Sequence, residues 1–100
     1  MKQHKFIIQD GKIRMGKVEY HRDLANKNGS KPIGGGKYFI NKQYKRIYFY
    51  DQSAEFGPVQ IKELCKAKES LPQFADYQWY YNQHYSLTET LNSSKTEKIC

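Results

Sequence analysis

Short apolar runs, set off by turn formers, recur through this chain, and most are strand-length. Lys5–Ile8 reads as a first strand, closed by Asp10-Gly11. Asp-Gly is a two-residue hairpin signal because glycine takes a positive φ without steric penalty. Lys12–Tyr20 reads as a second strand, with Ile13, Met15, Val18 and Tyr20 among polar neighbours. Its alternation slips by one between Met15 and Val18, and Gly16 at the slip points to a bulge or a close backbone approach. The polar stretch His21–Pro32 has room for one helical turn around Arg22–Asn26. After Ile33 and the three glycines, Lys37–Ile40 and Arg46–Tyr50 read as two more strands joined by a hairpin loop, Asn41–Lys45. Pro58–Glu69 reads as a helix: Pro58 suits a first turn, and Ile61, Leu64 and Cys65 form an apolar stripe. Leu71-Pro72 ends it, and Gln78–Tyr81 reads as a last strand.

These elements predict a single α+β (mixed-sheet α/β) domain, with about five or six strands and one or two flanking helices. The hairpins imply antiparallel pairs, and the helix between Tyr50 and Gln78 permits a parallel crossover. The folded part is expected to be residues 1–86. The Ser/Thr/Lys/Glu-rich stretch 87–100 is expected to be a disordered tail.

Composition narrows the class. One hundred residues make one domain. With 38% hydrophobic and 15% aromatic residues, the chain is too apolar for disorder and too polar for a membrane span. No charged-then-apolar leader with a small-residue cleavage site opens it, so a soluble cytoplasmic protein, without membrane partners, is expected. Cys65 and Cys100 fit no metal spacing and read as a buried helix cysteine and a free tail thiol, the alternative being a disulfide that clips a mobile tail and adds little. Net charge is +7, unevenly spread. Residues 1–50 hold 12 Lys/Arg against 3 Asp/Glu, and residues 51–100 hold 5 against 7. A basic first half favours anionic partners such as phosphate groups, phosphoproteins or nucleic acid.

Three features carry candidate chemistry. Consecutive glycines such as Gly34-Gly35-Gly36 either form a flexible loop or bring backbone N–H groups close to an anion. No Gly-Lys-Ser/Thr follows, so this is not a nucleotide phosphate loop. Ser53, after a strand and before Phe56-Gly57-Pro58, is a turn serine bonding its own backbone or a hydroxyl offered to a ligand. His21, in Glu19-Tyr20-His21-Arg22, lies at a strand end among charges, where imidazole serves as nucleophile or base, or simply as a surface or capping residue. His4 and His84 read as surface residues.

Taken together, Gly34-Gly35-Gly36, Lys45-Arg46-Ile47-Tyr48-Phe49-Tyr50, Ser53 and Phe56-Gly57-Pro58 resemble the signature of the Janus/Ocnus family of small protein-histidine phosphatases. Glu19-Tyr20-His21 resembles that family's catalytic-histidine motif, Lys5-Phe6 its first-strand motif, and Phe74–Trp79 its last strand. The likeness spans about residues 5–85 in the same motif order. Lys37 stands where animal members commonly carry arginine, Asp51 where glycine is common, and the stretch from His21 to Gly34 is shorter than in those members. The resemblance implies hydrolysis of phosphohistidine or phospholysine on proteins, or of a small phosphoamidate, by a monomer without metal or cofactor. His21 attacks phosphorus and Lys5 orients or activates it. Backbone at Gly34, Gly35, Gly36 and Ala54, with the Ser53 hydroxyl and Lys37, holds the phosphate oxygens. A second reading keeps the pocket as a phosphate- or phosphoprotein-binding module without turnover. A third, nucleic-acid binding by a basic, tyrosine-rich sheet face, lacks any recognition signature and is not expected.

Overall fold

Sheet formation starts at Asp10-Gly11. Both residues have positive φ (52° and 75°), the geometry that lets a two-residue hairpin follow strand twist. The computed structural model describes residues 1–84 and 86–100 and places β1 (Gln3–Gln9) and β2 (Lys12–Val18) on either side of this turn. Their register runs unbroken from Gln3↔Val18 to Gln9↔Lys12, so Gly16 is no bulge. It is a close approach: Leu24 Cδ2 lies 3.3 Å from where a Cβ on Gly16 would stand.

β3 (Gly34–Asn41) and β4 (Arg46–Tyr50) make the second hairpin. In its loop the Tyr44 N–H donates to Asn41 Oδ1 (3.2 Å), and Lys45 takes a left-handed φ of 51°. The chain then crosses through α1 (Ile61–Ala67) to β5 (Gln78–Asn82), which lies parallel to β4. The fold is α+β, one domain built on a six-stranded mixed sheet in the order β2-β1-β3-β4-β5-β6.

One sheet face carries the core. Period-two alternation gathers Phe6, Ile8, Ile47, Phe49, Trp79 and Tyr81, and Leu64 and Ala67 of α1 close over them. Phe49 links the rings, 4.9 Å from Phe6 and 5.2 Å from Trp79 between centroids.

α1 is shorter than its apolar stripe predicts. The Pro58 carbonyl packs against Gly34, which keeps Pro58 in a turn docked on the sheet. The helix starts at Gln60, whose N–H donates to Glu63 Oε1 (2.7 Å). It tightens to a 3-10 turn over Lys68–Ser70. There Ser70 Oγ accepts from the Ile13 N–H (2.9 Å) and donates to the Ala67 carbonyl (2.6 Å), fastening the helix end to β2.

Residues 87–100 depart from the expected disorder. They form α2 (Leu87–Asn92) and β6 (Glu97–Lys98), which adds to the edge of β5. Ile99 is 1% exposed and its N–H donates to the Trp79 carbonyl (2.8 Å). The two cysteines are not separate thiols: Cys100 is disulfide-bonded to Cys65 of α1, with Cα atoms 5.7 Å apart. The polar composition conceals one apolar anchor, Ile99, whose value depends on a core distant in sequence. No helix among the described residues is long and apolar enough to cross a membrane.

Candidate functional site

Lys5 and Lys37 are partners in the β1/β3 ladder. Directly opposed residues share a sheet face, and Lys5 alternates with core residue Phe6, so both lysines stand on the face away from the core. The pair Ile7↔Gly35 lies on that same face.

His21 arrives from β2 through a 3-10 turn, His21–Leu24. Tyr20 and Asp23 set this turn reciprocally: the Tyr20 N–H donates to Asp23 Oδ2 (3.1 Å), and the Asp23 N–H to the Tyr20 carbonyl (3.0 Å). Lys5 Nζ donates to the Glu19 carbonyl, which ties β1 to the segment delivering the histidine. The His21 ring lies over Gly35, with Cδ2 3.2 Å from where a Cβ on Gly35 would stand. The residue is 8% exposed.

The His21 Nε2–H donates to the Gly36 carbonyl (2.9 Å). A carbonyl only accepts, so the neutral ring carries its proton on Nε2 and its lone pair on Nδ1. Burial holds the imidazole below its ordinary pKa. The Lys5 and Lys37 charges act in the same direction, while the Gly36 carbonyl and Glu55 oppose them. The ring is therefore neutral near pH 7.

An open cleft of about 590 Å³ lies beside the ring. The expected residues Lys5, His21, Lys37 and Ala54 line it. Gly34, Gly35, Gly36 and Ser53 do not, and their surroundings explain why. The three glycines are buried inside β3. A Cβ on Gly34 would collide with the Pro58 carbonyl, one on Gly35 with the Phe6 carbonyl, and one on Gly36 would stand 2.6 Å from the Tyr50 carbonyl. Close backbone packing demands glycine here. The Gly35 N–H donates to the Gly57 carbonyl and its own carbonyl accepts from the Ser53 N–H, both at 2.9 Å. Ser53 is 2% exposed, and its Oγ accepts from the Glu55 and Phe56 N–H groups at 3.2 and 3.0 Å. It is a turn serine. The glycines serve the site indirectly: Gly35 makes room for the imidazole and Gly36 fixes its tautomer.

Lys37 Nζ pairs with Asp51 Oδ2 at 3.2 Å. Asp51 takes a left-handed φ of 63°, a conformation glycine favours and aspartate tolerates better than most. Its Oδ1 accepts from the Gln52 N–H (2.8 Å).

Four cleft residues were not expected as part of the site: Gln3, Arg22, Gln52 and Glu55. Gln3 had a signal, since it lies two positions from Lys5 on one strand and so on one face. Arg22 pairs with Glu55 at 3.7 Å, a contact that no local pattern encodes. Among the described residues, no group of three or more His, Cys, Asp or Glu side chains is placed to hold a metal ion. Comparison with protein-family models, with curated proteins and with solved structures found no match to this chain.

Proposed function

We propose that this protein is a phosphoamidase-type hydrolase that removes phosphate from phosphohistidine or phospholysine on proteins, with His21 as nucleophile. One observation carries the reading: a neutral imidazole, its tautomer fixed by the Gly36 carbonyl, on the wall of a cleft with Lys5 and Lys37. The Nδ1 lone pair forms a bond to phosphorus as the phosphorus–nitrogen bond of the substrate breaks, and the leaving nitrogen takes a proton from solvent. Water then attacks the same phosphorus, the Nδ1–phosphorus bond breaks, and orthophosphate leaves with the neutral ring restored and the water's proton released to solvent. The phosphorylated ring is cationic, and the Gly36 carbonyl facing Nε2–H stabilises it and keeps the ring in place. Lys5 and Lys37, with the turn at Ala54, hold the phosphoryl oxygens. The resemblance of the motif order to that of the Janus/Ocnus phosphatases is a second support for this reading.

The test is turnover. Wild-type protein releases phosphate from a phosphohistidine or phospholysine peptide in the presence of a chelator, and acid-labile phosphate accumulates on His21 at early times. His21→Ala folds and loses both. Undiminished release by folded His21→Ala overturns the assignment.

A second reading is favoured by the ion pairs Lys37–Asp51 and Arg22–Glu55. They occupy two of the cleft cations and suit a pocket that binds phosphate or a phosphoprotein without cutting. Phosphate-induced amide shifts at Lys37 and Ala54 in a protein without turnover identify that case. The Cys65–Cys100 bond bears on compartment. Disulfides persist in oxidising surroundings and are rare in cytosolic proteins, so in the cytoplasm we expect this pair reduced.

A further inference from the structure

A second cleft, of about 440 Å³, adjoins the first and shares Gln3, Lys37 and Asp51 with it. It opens where the sheet forks. The β1/β3 ladder stops at Lys5↔Lys37, yet β1 continues to Gln3 against β2 and β3 continues to Asn41 against β4. Across the fork the His4 and Tyr38 rings face each other at 5.3 Å between centroids. Lys2, Lys17 and the partly exposed ring of Phe39 also line it, with Ser86 and Leu87 from the C-terminal segment. The two clefts meet at Gln3, Lys37 and Asp51, and a ligand laid across that shared wall, as along one groove, would run from His21, past Lys37, to Phe39.

Its charge is one-sided. Lys2, Lys5, Lys17, Arg22 and Lys37 line it against two carboxylates, Asp51 and Glu55. Each carboxylate already faces a cation, Lys37 at 3.2 Å and Arg22 at 3.7 Å. None of the ion pairs among the described residues involves Lys2, Lys5 or Lys17. Uncompensated cations along an aromatic-walled groove attract a chain that carries acids and one apolar side chain. A polynucleotide fits less well, because its evenly spaced phosphates would also meet Asp51 and Glu55, whereas a polypeptide can place its acids to avoid them.

We propose that this groove binds an extended acidic polypeptide segment, with carboxylates over Lys2 and Lys17 and an apolar side chain against Phe39. The segment flanks the phosphorylated residue and presents it to His21. Only that last placement rests on the hydrolase reading; the groove's preference for acidic peptide does not.

The test uses an unphosphorylated, fluorescein-labelled peptide of about ten residues, alternating glutamate and serine around one phenylalanine, and its glutamine analogue. Fluorescence anisotropy is expected to show the acidic peptide binding about tenfold or more tightly than the analogue, with affinity falling as salt rises. Lys2→Glu with Lys17→Glu is expected to weaken binding by about tenfold. Lys12→Glu, on the same strand as Lys17 but outside the groove, is expected to leave it unchanged. Both sets change exposed lysines, and circular dichroism confirms their folding. Equal binding of the two peptides, indifference to the Lys2 and Lys17 changes, or tighter binding of a ten-nucleotide DNA strand overturns the proposal. Hydrolysis is measured separately on free phosphohistidine. Peptide binding without turnover refutes the hydrolase and supports the groove. Turnover without peptide preference does the reverse.

Discussion

His21 gives the site a pH dependence whose direction follows from its setting. Burial, reinforced by Lys5 and Lys37, lowers its pKa from the ordinary value near 6.5. In the unfolded chain the ring protonates at the ordinary value, and in the folded protein only at lower pH. Between those two values the unfolded state binds more protons, so stability rises with pH across that window. This contribution is fully present above the unfolded pKa and is lost as pH falls through the window. The same shift favours the unprotonated Nδ1, so that it protonates at lower pH than a free imidazole does. If the proposed hydrolysis holds, the acid limb of kcat/KM for phosphohistidine is expected at a pH below that of a free imidazole, since that limb reports the free protein's base. An NMR titration of the His21 ring protons is expected to give the same midpoint. A midpoint at or above 6.5 contradicts the buried, cation-flanked setting.

The strands differ in how plainly the chain announces them. Arg46–Tyr50 was legible because β-branched and aromatic residues follow one another between turn formers, and the Asp10-Gly11 hairpin because its turn chemistry is local. β3 was legible only from Lys37 onward. Its first three residues are glycines, poor strand formers by local preference, and what makes them a strand is backbone pressed against Phe6, Tyr50 and Pro58, which lie elsewhere in the chain. Of the candidate site, Lys5, His21, Lys37 and Ala54 were readable as one cluster, but the part played by the glycines was not. A side chain on Gly35 tests that part. A Cβ there meets the Phe6 carbonyl, which is strand backbone and cannot rotate away, and crowds the His21 ring at 3.2 Å. Gly35→Ala is expected to destabilise the fold by about 1–3 kcal/mol, the usual cost of overpacking, measured by urea unfolding. It is also expected to move the His21 ring resonances. Wild-type stability with unmoved ring signals contradicts the close-approach account.

At the scale of the whole molecule, the uneven charge along the chain becomes an uneven charge in space. The basic first half supplies β1, β2, β3, β4 and the turn bearing His21, and so every lysine and arginine that lines the two clefts. The second half supplies the helices and the far edge of the sheet, and its last residues close the structure on itself. A bond between Cys65 and Cys100, 35 positions apart, links α1 to the end of the strand that covers Trp79. Removing it frees a loop whose closure entropy corresponds to about 3–4 kcal/mol in the chain-entropy view. That is a large share of the 5–15 kcal/mol typical of small domains. Reduction should also loosen Ile99, which is held by burial and by one hydrogen bond to Trp79. At about 4–8 °C per kcal/mol for a domain of this length, dithiothreitol is expected to lower Tm by on the order of 10–30 °C. Cys100→Ser is expected to melt at the reduced protein's temperature and to ignore the reductant. Amide exchange at Lys98 and Ile99 should quicken in both, while exchange in β1 and β3 stays slow, because β4 and β5 separate both strands from β6. An unchanged Tm under reduction means that burial of Ile99 and pairing of β6 hold the segment without the covalent link.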